Sequence, residues 1–187
     1  MKTATEKNHI ECVELLFLDG RLDSMECWNK SLEEWDLREE TPKFKCAKLV
    51  IYHGRIDFDE YGYDMLVAAV IFCKNNVVEL LLNKMKSSSM DDDGEFIYLA
   101  ISSSVNTKSL QLLLSDGRSE PNAQNSKKLI IVVKDNNANC MTLLLEDGRA
   151  DPTAKDNEAI HIASTMGHSE CLSLLIKDGR ANLVFGT

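Results

Sequence analysis

One tripeptide recurs along the chain. Asp-Gly-Arg stands at Asp19-Gly20-Arg21, Asp116-Gly117-Arg118, Asp147-Gly148-Arg149 and Asp178-Gly179-Arg180. His53-Gly54-Arg55 is a variant, and Lys84-Met85-Lys86 falls where a sixth copy is expected. The central residues 20, 54, 85, 117, 148 and 179 are separated by 34, 31, 32, 31 and 31 positions. Each centre is preceded at one offset by an apolar triplet: Leu15-Leu16-Phe17, Leu49-Val50-Ile51, Leu80-Leu81-Leu82, Leu112-Leu113-Leu114, Leu143-Leu144-Leu145 and Leu174-Leu175-Ile176. A fixed period of this size marks an array of stacked supersecondary units and rules out most other folds.

The physics of one unit follows from the same count. The leucine run has helical spacing. The glycine stops that helix, because it enters the left-handed cap conformation at little cost. Sixteen or seventeen residues before the centre lie Ala4, Ala68, Ala100, Val132 and Ala163, which are small enough to let two helices approach. Each unit is therefore a first helix, a short turn, a second helix ending at the centre, and an extended link. One such hairpin cannot bury both faces, so the units must stack. Composition agrees: 44% of residues are hydrophobic but only 6% aromatic, which suits packed helices better than a β-sandwich.

The last unit carries the fullest pattern: Ala159-Ile160-His161-Ile162-Ala163, Gly167-His168-Ser169-Glu170-Cys171-Leu172 and Leu174-Leu175-Ile176. This resembles the ankyrin repeat, whose first helix opens with T-P-L-H-x-A. Glu158-Ala159 stands where Thr-Pro is usual, and Glu11 to Leu18, preceded by His9, resembles the second half of the motif. The pairs Asn75-Asn76 and Asn136-Asn137 are read as replacing Gly-His in the middle units. The link Gly148-Arg149-Ala150-Asp151-Pro152 is one residue longer than the usual Gly-Ala-Asp, a dialect resembling the divergent ankyrin proteins of large DNA viruses and unicellular eukaryotes. The resemblance covers roughly residues 1–182, and it implies an all-α ankyrin-repeat solenoid of stacked helix-turn-helix units with short extended hairpin links.

The expected organisation is a single domain of about six units, at approximately 1–27, 28–58, 59–90, 91–122, 123–153 and 154–187. The first is truncated. The second is irregular, with a capping box at Ser31-Leu32-Glu33-Glu34, an interrupting Pro42, and both Trp28 and Trp35. The segment Ser87 to Asp93 departs from the link pattern, which predicts a distorted hairpin there.

Candidate chemistry is absorbed by this frame. Cys12, Cys46, Cys140 and Cys171 all lie eight residues before their centres, with Val77 and Ser109 in the same slot. Equivalent sites in a stacked array are roughly 10 Å apart, beyond the reach of a disulfide or a shared zinc ion. These thiols read as one packing position, and no metal or cofactor is expected. His9 and His168 share a turn position, where the resemblance implies a histidine bridging backbone groups between units. His161, the helix-opening histidine of the family, has a similar structural duty. No nucleophile–base pattern converges on any histidine, and translated repeats are poor geometry for an asymmetric catalytic centre, so no catalytic residue is assigned.

The column Arg21, Arg55, Lys86, Arg118, Arg149 and Arg180 has two readings. One is a ladder of inter-repeat salt bridges with contacts to helix-end carbonyls. The other is a basic stripe for an acidic or phosphorylated partner, which the interleaved Asp23, Asp57, Glu120 and Asp151 would cancel. The acidic link clusters around Asp57 to Glu60, Asp91 to Asp93 and Asp151 to Asp156 read as solvated tips or as docking sites for a basic partner. Ser87-Ser88-Ser89 is a candidate phosphate acceptor beside acids.

The resemblance implies a protein–protein interaction module that binds through a concave groove and hairpin tips. Transferring the usual contact positions gives Asp59, Glu60, Asp91, Asp92, Gln124, Ser126, Lys134, Asp135, Lys155, Asn157, Thr165 and Met166. The viral-looking dialect suggests a second reading, an effector that sequesters or redirects a host signalling or ubiquitin-ligase component. A net charge of −9 disfavours nucleic acid as partner. No apolar leader or membrane-length run is present, so the expected setting is cytoplasmic, with the nucleus as alternative. Leu183, Val184 and Phe185 stand where a polar cap is expected; they fold back over the last unit or support weak self-association.

Overall fold

Helix α1 (Phe58–Ile71) begins at Asp57, whose carboxylate accepts from the Asp59 N–H at 2.9 Å, as a helix N-cap should. The computed structural model describes residues 15, 19, 48–49, 51–52, 56–85, 94–103 and 107–181. Helices α2 (Asn75–Lys84), α3 (Glu95–Ser102), α4 (Thr107–Asp116), α5 (Ala123–Lys134), α6 (Ala138–Asp147), α7 (Ala154–Thr165) and α8 (Ser169–Asp178) follow, and no strand occurs among the described residues. The chain divides into two bodies, Met1–Ser89 and Met90–Thr187. In the first, α1 packs on α2. In the second, α3/α4, α5/α6 and α7/α8 pair as hairpins. There α3, α5 and α7 form one row and α4, α6 and α8 a second.

The repeated triplet supplies the core. Its middle residue, Leu81, Leu113, Leu144 or Leu175, is fully buried in every described unit. The slot eight residues before the centre is also buried, whether it holds Val77, Ser109, Cys140 or Cys171. Burial pushes the Cys140 and Cys171 thiols up, away from the reactive thiolate. Cys12 and Cys46 lie outside the described residues. Gly117, Gly148 and Gly179 hold φ of 78°, 81° and 76° at the helix ends. Met85 cannot follow them and leaves α2 in an extended conformation.

Two details of the spacing are corrected. Three residues separate the helices of a hairpin except between α3 and α4, where there are four. The offset of Ala100 therefore does not transfer to the unit of α1. Its small buried residue is Ala69, not the half-buried Ala68. The Ala69 carbonyl accepts from Lys74 N–H at 2.8 Å, as Val132 does from Asn137 and Ala163 from His168. The turn residue with positive φ is then Cys73, Asn136 or Gly167, each followed by the N-cap of the second helix. Cys73-Lys74, and not Asn75-Asn76, is thus the counterpart of Asn136-Asn137 and Gly167-His168.

The links also differ from extended hairpins. In the units of α5 and α7 the chain makes a left-handed turn through Gln124-Asn125-Ser126 and Lys155-Asp156-Asn157, with φ between 52° and 64°. Asn and Asp tolerate this region better than most residues, which suits them to the turn. Gly94 takes φ 66° at the start of α3, and a Cβ there would collide with the Glu120 carbonyl oxygen.

The arginine column joins the units. Arg149 grips the carboxylate of its own Asp147 through Nε and Nη2 at 2.8 and 2.9 Å. Its remaining donors reach back to the preceding unit's carbonyls: Nη1 to Gly117 and Ser119, Nη2 to Leu114, at 3.0–3.1 Å. Arg180 repeats the arrangement one unit on, with Asp178 and the carbonyls of Leu145, Gly148 and Ala150. The ion pair is therefore internal to each tripeptide, and the contact between units is guanidinium to carbonyl. Five donors in a fixed fork make this possible, and they complete helix-end carbonyls that otherwise lack partners. Arg21, Arg55 and Lys86 lie outside the described residues. His168 adds a second clamp, its Nδ1 lying 2.8 Å from the Val133 carbonyl oxygen of the preceding unit.

Candidate partner-binding surface

The first helices of the second body present one side to solvent. The residue three places before each C-cap, Ala100, Val132 or Ala163, is buried against neighbouring helices. Two residues on, on the opposite side of the helix, the residue just before the cap is exposed: Ser102, Lys134 and Thr165. The caps are Ser103, Asp135 and Met166, the last 53% exposed. Helical periodicity separates the two sets, so side chains on the outer set vary without disturbing the frame.

Electrostatics differ from joint to joint. Between α5 and α7, Glu158 lies 3.9 Å from Lys134 and 3.6 Å from Lys155, so one carboxylate serves two cations. Between α3 and α5 a depression of about 210 Å³ is lined by Glu95, Tyr98, Gln124, Lys127, Lys128 and Ile131. Lys128 is buried, with its ammonium donating to the Ala123 carbonyl at 3.2 Å. Lys127 is exposed, and Tyr98 is 44% exposed.

Residues 96–184 match the family model for ankyrin repeats, in three copies. Over those residues the architecture is accordingly an ankyrin-type helical solenoid, and ankyrin repeats are generally protein-interaction modules. No curated protein and no solved structure matches the chain. Among the described residues no helix is long and apolar enough to cross a membrane.

The residues expected to face a partner fall into several groups on this ankyrin frame. Gln124, Lys134, Asp135, Lys155, Thr165 and Met166 are exposed. Thr165 spends its hydroxyl on the His161 carbonyl at 2.8 Å and presents its methyl group. Asn157 is half-buried in the left-handed turn. In the first body, Asp59 and Glu60 are exposed in the first turn of α1, where acids meet the positive end of a helix. Asp91, Asp92, Ser87 to Ser89 and Leu183 to Phe185 lie outside the described residues.

Ser126 is corrected. It is fully buried, its hydroxyl donating to Asn122 Oδ1 at 2.6 Å and accepting from the Asp151 N–H at 2.8 Å. It ties one link to the next, and its burial keeps it from a partner. His161 is corrected in the opposite direction: it is exposed, and among the described residues its ring makes no hydrogen bond. Tyr98, Lys127 and Ile131 were missed, although the count from the glycine places Lys127 in register with Glu158.

Proposed function

We propose that the chain binds a partner polypeptide along the exposed side of its first helices and the adjoining left-handed turns, through Gln124, Lys134, Asp135, Lys155, Asn157, Thr165 and Met166. On the same family reading, Asp59 and Glu60 of the first body and Asp91 and Asp92 of the second are further proposed partner contacts. The observation that carries it is the contrast between the two sides of each first helix. In the three described units of the second body the buried position is small and apolar (Ala100, Val132, Ala163), whereas the exposed position two residues on is serine, lysine or threonine. A constant frame with a chemically varied face is how repeat proteins recognise partners.

The test compares affinity capture by the wild-type chain with capture by a variant carrying Lys134→Ala, Asp135→Ala, Thr165→Ala and Met166→Ala. A control carries Glu146→Ala and Lys177→Ala, which are exposed on second helices. The expected outcome is a set of proteins retained by wild type and control but lost by the groove variant, with helical content unchanged. Identical capture by all three overturns the reading.

The narrower reading, an effector acting on a host signalling or ubiquitin-ligase component, rests on the link dialect alone. The same capture decides it, because recovery of no such component removes it. A cytoplasmic or nuclear setting goes with the proposal. Weak self-association through Leu183, Val184 and Phe185 is separable by sedimentation at two concentrations.

A further inference from the structure

We infer that the depression between α3 and α5 is an acid-receiving pocket, taking a Glu or Asp side chain of the bound polypeptide beside Lys127. The inference rests on the groove reading above. It comes from comparing two joints that the repeat makes superimposable.

Lys155 and Glu158 stand 24 and 21 residues before Gly179; Gln124 and Lys127 stand 24 and 21 before Gly148. The pair at 3.6 Å in the last unit shows that these two positions face each other at ion-pair distance. The pair at 3.9 Å shows that the residue preceding the earlier unit's cap reaches the same carboxylate. At the joint between α3 and α5 that preceding residue is Ser102, and the carboxylate is replaced by Lys127. One joint thus carries its own acid between two cations, and the other carries a cation with an amide and a hydroxyl and no acid in the bridging position.

The groups left over are donors. Among the described residues, the Lys127 ammonium, the Gln124 amide and the Tyr98 hydroxyl have no hydrogen-bond or ion-pair partner. All three line the depression. Glu95, the acid at its edge, is engaged in an interaction of its own. The Tyr98 ring and Ile131 supply an apolar wall for the methylene groups of an incoming side chain. A carboxylate there would complete the bridge that Glu158 makes one unit later. A basic side chain would meet Lys127 and be repelled. Among the described arginines of the column, Arg118 is held by Asp116, and Arg149 and Arg180 by their own Asp and by carbonyl groups, so these do not compete.

Random twelve-residue peptides are displayed and selected on the full chain, and the recovered peptides are synthesised and titrated. The expected result is an acidic residue at one fixed place in the recovered sequences. Lys127→Glu lowers affinity for these peptides about tenfold or more, and Lys127→Gln lowers it less. Replacing the peptide's acid by lysine restores binding to Lys127→Glu. Recovered peptides without a shared acid overturn the inference, as do affinities indifferent to Lys127→Glu. Peptides that lose binding on the fourfold groove variant defined above but not on Lys127→Glu sink the pocket and leave the groove standing. Peptides lost on neither, or no peptide recovered, sink both.

Discussion

Single residues in this chain are judged by where they stand in the repeat. Ser119 follows Arg118, at the position that Ala150 and Ala181 occupy in later units. It is fully buried, and its hydroxyl finds no partner among the described residues. A buried hydroxyl without a hydrogen bond costs about 1–3 kcal/mol, whereas a methyl group there costs nothing in solvation. Ser119→Ala is therefore expected to stabilise the fold by about 1 kcal/mol, read as a higher urea midpoint at unchanged slope. A lower midpoint would mean the hydroxyl is satisfied. Ser126 shows why such judgements escape the sequence. Both serines sit in polar links, yet the Ser126 hydroxyl is used by an amide 25 residues away. Nothing local in either segment distinguishes them.

Elements were legible to the degree that one rule repeats. The second helices, their glycine ends and the buried middle leucine all followed from a single count, because each depends on local conformation plus the same neighbour one unit away. The left-handed links did not. Three consecutive residues with positive φ, none of them glycine, run against the preference of L-amino acids. They hold because Ser126 ties Asn122 to the next link and Asp151 accepts from both Thr153 N–H and Oγ1. The arginine's role was half legible: the ion pair was expected, but its partner is within the tripeptide. Arg149→Ala removes three carbonyl contacts and one carboxylate contact at once. About a third of that side chain is in water, so the expected loss is about 1–2 kcal/mol rather than the full value of a buried charged network. Arg149→Lys should recover little of it, since an ammonium cannot serve Asp147 and three carbonyls together. Full recovery by lysine in urea titrations would show that charge alone matters.

At the scale of the molecule, stability is a sum over units and joints, so the weakest joint sets where opening begins. Hydrogen bonding from Arg180 holds the Asp178 carboxyl below its ordinary value. A depressed folded pKa contributes stability above the unfolded carboxylate pKa, and that contribution fades as pH falls through the lower folded value. Acid should therefore loosen the last joint first. Hydrogen exchange between pH 5 and pH 3 should show protection falling in α8 before α4, and Asp178→Asn should flatten that pH dependence. Simultaneous loss in both helices would remove the joint-by-joint picture. The candidate site was legible as a face but not as a pocket. Its depression depends on how Tyr98 of one helix meets Lys127 of the next, which appears only when two units are laid side by side.

The arginine contact also has a direction. Among the described residues, the guanidiniums of Arg149 and Arg180 both close on carbonyls of the unit before their own. During synthesis the earlier hairpin leaves the ribosome first and waits with its carbonyls open until the next Asp-Gly-Arg arrives, so completion runs from the N-terminus. The same polarity predicts that duplication or removal of a whole unit leaves the fold intact. Thirty-one residues gained or removed between Gly117 and Gly179 leave each arginine a cradle, while a single-residue slip at a joint strands it.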